Sequence, residues 1–156
     1  RDNISGYSAP DQLIAFTKTG GAINAWIVTD STLTVAPMQI ATFPLVADVT
    51  DACMIQFGDH MAIAVAFGTN NLGFITYSAT AIVGWTQMDS TGFYYRIEPI
   101  TESTTSAPVT DITRVCPYRS RLAINGTTTY DAQHVETING VWFSEAGNPI
   151  NFASDL

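Results

Sequence analysis

The sequence predicts an all-β fold of short antiparallel strands, and three observations predict it. No window keeps apolar residues at i, i+3 and i+4 with a cap at each end, so no long helix is expected. Val, Ile, Thr, Tyr, Phe and Trp dominate the apolar runs, as they do in pleated, half-buried segments. Gly, Asn and Pro interrupt those runs at intervals of about ten residues, the rhythm of strands and turns. The 156 residues are enough for one domain with a core. With 46% apolar and 13% charged residues, the chain is too hydrophobic for a disordered tail.

In chain order, residues 1 to 11 read as a loop. Gln12 to Thr17 is a strand, Thr19-Gly20-Gly21 a hairpin turn and Ala22 to Val28 the return strand. Thr32 to Val35 and Met38 to Phe43 are further strands, punctuated by Pro37 and Pro44. Cys53 to Phe57 comes next, then a turn at Gly58-Asp59. His60 to Phe67 is a nearly continuous apolar run, the pattern of a strand buried on both faces. Gly73 to Tyr77, Ile82 to Thr86 and Phe93 to Ile97 complete this middle set, with Met88 to Gly92 as a loop. Residues 98 to 108 form a surface connection. Ile112 to Cys116 is strand-like, and Tyr118-Arg119-Ser120 turns into Arg121 to Ile124. That strand is expected to stop at an Asn125-Gly126 turn. Val135 to Ile138, a break at Asn139-Gly140, and Val141 to Ser144 follow, closed by a corner at Gly147-Asn148-Pro149.

These strands recur in a common outline. Val49-Thr50-Asp51 and Val109-Thr110-Asp111 are identical triplets 60 residues apart, each followed by Ala-Ile (Ala62-Ile63, Ala123-Ile124) and later by a Trp (Trp85, Trp142). Residues 1–48, 49–108 and 109–156 thus read as three blade-like units. Roughly four strands per unit is the arithmetic of a β-propeller. Rings typically hold about four to eight blades, so the chain is expected to be a piece of something longer or to complete a ring with other chains. A β-sandwich is the alternative.

Fourteen acids against six bases give a net charge of −8, a poor endowment for gripping nucleic acid through its phosphates. Arg96, Arg114, Arg119 and Arg121 fall in the second part, among acids that prevent a basic patch. Cys53 and Cys116 sit in apolar runs and make no disulfide scaffold. No stretch reaches the ~18 apolar residues of a membrane span. His60 and His134 are the only histidines and have no second ligand at metal spacing. Asp48, Asp51 and Asp59, or Glu136 with Glu145, are the candidates for a glycosidase pair, but nothing in the sequence fixes their separation, and turn aspartates have a simpler use as backbone acceptors. Asn3 and Asn125 fit the glycosylation acceptor pattern. Trp26, Trp85, Trp142 and Tyr94-Tyr95 offer faces for sugars or bases; at strand spacing they are expected to pack between sheets. The chemistry points to no enzyme, metal or cofactor.

One run is more specific. Tyr118-Arg119-Ser120-Arg121-Leu122-Ala123-Ile124, followed by Gly140-Val141-Trp142-Phe143-Ser144-Glu145-Ala146-Gly147-Asn148-Pro149-Ile150-Asn151-Phe152, resembles a pattern in the propeller region of podovirus-type bacteriophage tail nozzle, tail tubular and neck proteins. The residues that carry it are Arg121, Leu122, Val141, Trp142, Phe143, Ser144, Gly147, Asn148, Pro149, Asn151 and Phe152. Their expected duties are structural: Ser144 bonds turn backbone, Gly147 takes positive φ, Asn148-Pro149 fixes a corner and Phe152 folds back as an apolar plug. The resemblance implies a structural virion protein in the tail. Its partners would be other copies of itself in a ring, often hexameric, the portal and adaptor proteins, and genomic DNA that passes without specific binding. An acidic wall suits such a channel, because it repels DNA and lets it slide. The rival expectation is a carbohydrate- or receptor-binding β-module.

Overall fold

The computed structural model describes residues 13–20, 22–28, 36–43, 48–57, 60–77, 87–88, 93–102, 106–130 and 136–153. Among these residues the fold is all-β, in three antiparallel sheets that follow one another along the chain. The expected strands at 32–35 and 82–86 lie outside the described residues, as does the loop expected at Met88 to Gly92 except for Met88, which instead pairs with Tyr94 in a short strand.

The first sheet runs β1 (Leu13–Thr19), β2 (Ala22–Val28) and β3 (Met38–Phe43) in sequence order. Thr19 pairs with Ala22 across the expected hairpin at Gly20. Strict alternation in β2 sends Ile23, Ala25 and Ile27 to the buried face and leaves Asn24 and Trp26 half-buried on the other, as a period of two requires. A bulge opposite Ala25 and Trp26 inserts Ile40 into the same core, where it is fully buried.

The second sheet is β4 (Asp51–Phe57), β5 (His60–Ala66), β6 (Asn71–Tyr77) and β8 (Phe93–Pro99), with the two-residue β7 (Gln87–Met88) beyond β8. It is the middle layer. Ile63, Val65, Phe67 and Ile75 pack towards the first sheet, against Ile23, Ile27 and Phe43. Ala62, Ala64, Leu72 and Phe74 pack the opposite way, towards the third sheet. Burial on both faces explains the unbroken apolar run of β5. Fully burying one such Ile, Leu or Phe side chain contributes about 1.5–3 kcal/mol, so two cores on one sheet make it the anchor of the stack.

The third sheet holds β10 (Val115–Tyr118), β11 (Arg121–Tyr130), β12 (Glu136–Glu145) and β13 (Asn148–Ala153), with β9 (Val109–Thr110) also paired to β11. Here the expectation is corrected. Asn125-Gly126 and Asn139-Gly140 are not turns. Each lies inside a ten-residue strand, and Gly126 faces Gly140 across the β11–β12 pair.

The physical reason lies in the partner strand. β9 and β10 are two halves of one broken strand, both paired with β11. In the break, Asp111 adopts φ 55° and Asn125 takes the place of missing backbone partners. Its Oδ1 accepts from the N–H of Thr113 (3.0 Å) and of Arg114 (2.7 Å), and its Nδ2 donates to Thr113 Oγ1 (2.8 Å). Gly126 is needed because a Cβ there would lie 2.5 Å from Val109 Cγ1 and 2.9 Å from the Thr110 carbonyl oxygen. The Trp142 ring lies over both glycines.

The break also docks the third sheet on the second. Ile112 donates to the Thr69 carbonyl (3.0 Å), and its own carbonyl accepts from Gly68 N–H (2.8 Å). Asp51 Oδ2 accepts from Val115 N–H at 3.1 Å. The repeated Val-Thr-Asp triplets therefore differ in structure throughout: Val49-Thr50 precede a strand that Asp51 begins, whereas Val109-Thr110 form β9 and Asp111 leaves it.

Candidate functional site

The motif residues occupy the two faces of the third sheet. Leu122, Trp142, Ser144 and Phe152 face the core shared with the second sheet and are buried, with Phe152 1% exposed. Arg121, Val141 and Phe143 alternate onto the outer face, where Val141 is 59% exposed.

Ser144 sits at a register shift, where β12 and β13 slip between Ser144 and Glu145. Its Oγ accepts from Leu122 N–H at 2.8 Å and donates to the Glu145 carbonyl at 3.1 Å. It is fully buried, so the hydroxyl satisfies a backbone donor that water does not reach. Gly147 has φ 73°, and its N–H donates to the Ser120 carbonyl at 2.9 Å, tying the β12–β13 turn to the β10–β11 turn. Asn148 and Pro149 do not make the corner. Asn148 pairs with Glu145 as the first residue of β13, and Ala146-Gly147 supplies the turn. Pro149 is tolerated because β13 ends its sheet on that side. Asn151 is half-buried in the same strand.

On the outer face the β10–β11 hairpin adds Tyr118 and Arg119 to the motif residues Arg121 and Phe143. Tyr118 pairs with Arg121 across a two-residue turn, and both turn residues, Arg119 (φ 47°) and Ser120 (φ 63°), are left-handed. Such a turn matches strand twist but ordinarily favours Asn and Gly. The Arg119 guanidinium stands 5.3 Å from the Tyr118 ring centroid, a cation–π contact. Tyr118 and Phe143 meet at 5.4 Å with planes tilted by 51°. Arg121 Nη1 donates to the Ser144 carbonyl at 3.3 Å. Tyr118, Arg119, Arg121 and Phe143 line an open cleft of about 350 Å³. In the sequence, Tyr118 and Arg119 read as turn residues that open the run resembling tail proteins; their placement opposite Phe143 comes from the β11–β12 register.

The other candidates are scattered. Asp48 pairs with Lys18 at 2.7 Å on the surface. Asp51 accepts from Ala52 N–H and Val115 N–H. Asp59 and His134 lie outside the described residues, as do Asn3, Trp85 and the strand expected around it. Among the described residues no group of three or more His, Cys, Asp or Glu is placed to hold a metal ion. Trp26 donates its indole N–H to Thr17 Oγ1 at 2.8 Å on the first sheet's outer face. Arg96 and Glu98 form an ion pair on β8, and burial lowers the Arg96 guanidinium below its ordinary pKa. Cys53 and Cys116 are both free thiols. Burial, followed by the neighbouring Cys116 and Asp51, pushes the Cys53 thiol up to about 12.

Comparison with protein-family models, with curated proteins and with solved structures finds no match for this chain.

Proposed function

We propose that the chain is a structural element of a tailed-bacteriophage virion, part of the tail nozzle or neck that closes the head and forms the DNA exit channel. One observation supports this reading above others. Three antiparallel sheets stack in chain order, face to face, with a separate core at each junction. Sheets repeated in this way can fan about an axis as propeller blades, and a ring of blades leaves only short, protected edges. A sandwich needs two sheets and one core, so a third sheet on the far side of the second favours the ring. The resemblance of residues 118–124 and 140–152 to nozzle and neck proteins supplies the tail context. Within that run Leu122, Trp142, Ser144 and Phe152 hold the third sheet together, as wall-building residues would. The net charge of −8 suits a wall past which DNA slides.

Antibodies raised against this chain and gold-labelled on intact virions test the placement. Label confined to the head–tail junction supports it. Label on distal fibres, or on no part of a virion that contains the chain, refutes it.

A further inference from the structure

The cleft on the outer face of the third sheet has the composition of a recognition site for an anionic ring. It combines two guanidinium groups with two aromatic faces. Neither guanidinium is loosely placed: Arg119 is stacked on Tyr118, and Arg121 is held by the Ser144 carbonyl. The hairpin that presents them is clamped by the Gly147–Ser120 hydrogen bond. Two consecutive left-handed residues other than glycine set Arg119 and Ser120 in a strained turn, and strain of this kind concentrates at binding sites. The volume of about 350 Å³ falls at the small end of ligand pockets.

From this geometry we propose that the Tyr118–Arg119–Arg121–Phe143 cleft binds a carboxylated sugar, a hexuronate or sialic acid residue of a glycan. A guanidinium matches the fork of a carboxylate, and the tilted Tyr118 and Phe143 rings offer apolar faces to the C–H side of a sugar ring. A polyanion fits less well. The chain carries −8 overall, and the exposed Glu145 ends β12 beside the adjacent turn, so a single negative charge is admitted where a run of phosphates is repelled. The assignment does not need the ring proposed above; it needs the third sheet's outer face open to solvent, so a further sheet seated on that face would exclude it.

Backbone amide NMR titration of the chain with sialyllactose and with methyl glucuronide tests it. Shifts centred on Tyr118 to Arg121 and Phe143 are expected, saturating in the millimolar range. Lactose and methyl glucoside should bind about tenfold more weakly, the loss of roughly one charge-assisted hydrogen bond. Arg119→Gln, which removes the exposed guanidinium stacked on Tyr118, should weaken the acidic sugars about tenfold and lactose far less, with the amide spectrum otherwise native. Tyr118→Ala should weaken both classes. Equal affinity for acidic and neutral sugars, no shifts at millimolar concentrations, or tighter binding of oligothymidylate or tetraglutamate would each overturn the assignment.

Discussion

Asn125 gives the sharpest test of how the third sheet is built. The side chain makes three hydrogen bonds into the break between β9 and β10. A typical hydrogen bond contributes about 0.5–1.5 kcal/mol net, and the exposed side of Arg114 lets water recover part of the loss. Asn125→Ala should therefore destabilise the fold by about 2 kcal/mol. With a urea slope of about 2 kcal/mol/M, the unfolding midpoint falls by about 1 M. Asn125→Asp keeps the acceptor for both N–H groups and loses only the donor to Thr113, so about 1 kcal/mol is expected. Asn125→Gly separates the two readings of the sequence. In a hairpin turn, Gly substitutes freely for Asn. In a strand clamp it removes all three bonds and adds backbone entropy, so it should cost at least as much as Ala. Urea unfolding followed by tryptophan fluorescence reports this directly, since Trp142 packs on Gly126 and Gly140. A glycine variant as stable as the parent chain would refute the clamp.

Three further outcomes follow from the same packing. Ser144→Ala strands the buried Leu122 N–H and should lower stability by about 1–3 kcal/mol; a change within the error of urea unfolding would mean that the β12–β13 slip does not depend on the hydroxyl. Phe152→Ala empties a fully buried site between the second and third sheets and should cost about 3–5 kcal/mol, whereas a loss below that of a surface substitution would remove β13 from the core. Cys53 has a thiol raised from its ordinary 9.0 to about 12. A pKa raised on folding gives stability that is present below 9 and is lost as pH climbs towards 12, so chemical unfolding across that window should show a fall in the parent chain that Cys53→Ala flattens. Equal pH slopes for the two would contradict the burial of the thiol.

Much of the fold was legible because alternation is a local signal. Ile23, Ala25 and Ile27 declare one face of β2, and the unbroken run of β5 declares a strand covered on both sides; the middle position of its sheet follows. The errors have a common cause. Asn-Gly is the strongest short hairpin signal, but at Asn125-Gly126 its purpose depends on Val109 and Thr110, strand neighbours that local pattern does not reveal. Asn139-Gly140 misleads for the same reason, because the Trp142 ring occupies the space that side chains would fill. Asn148-Pro149 reads as a corner until the preceding Ala146-Gly147 is seen to make the turn. The cleft was invisible for a further reason. Tyr118 and Phe143 are 25 positions apart in the sequence, and only the register of β10, β11 and β12 brings their rings to 5.4 Å.

Electron cryomicroscopy of the assembly that contains this chain tests the central claim most directly. The account predicts a ring of sheets around a channel, with the outer face of the first sheet flanked by a further sheet. A free stack of three sheets with no axis, or two sheets closed into a sandwich, would contradict it.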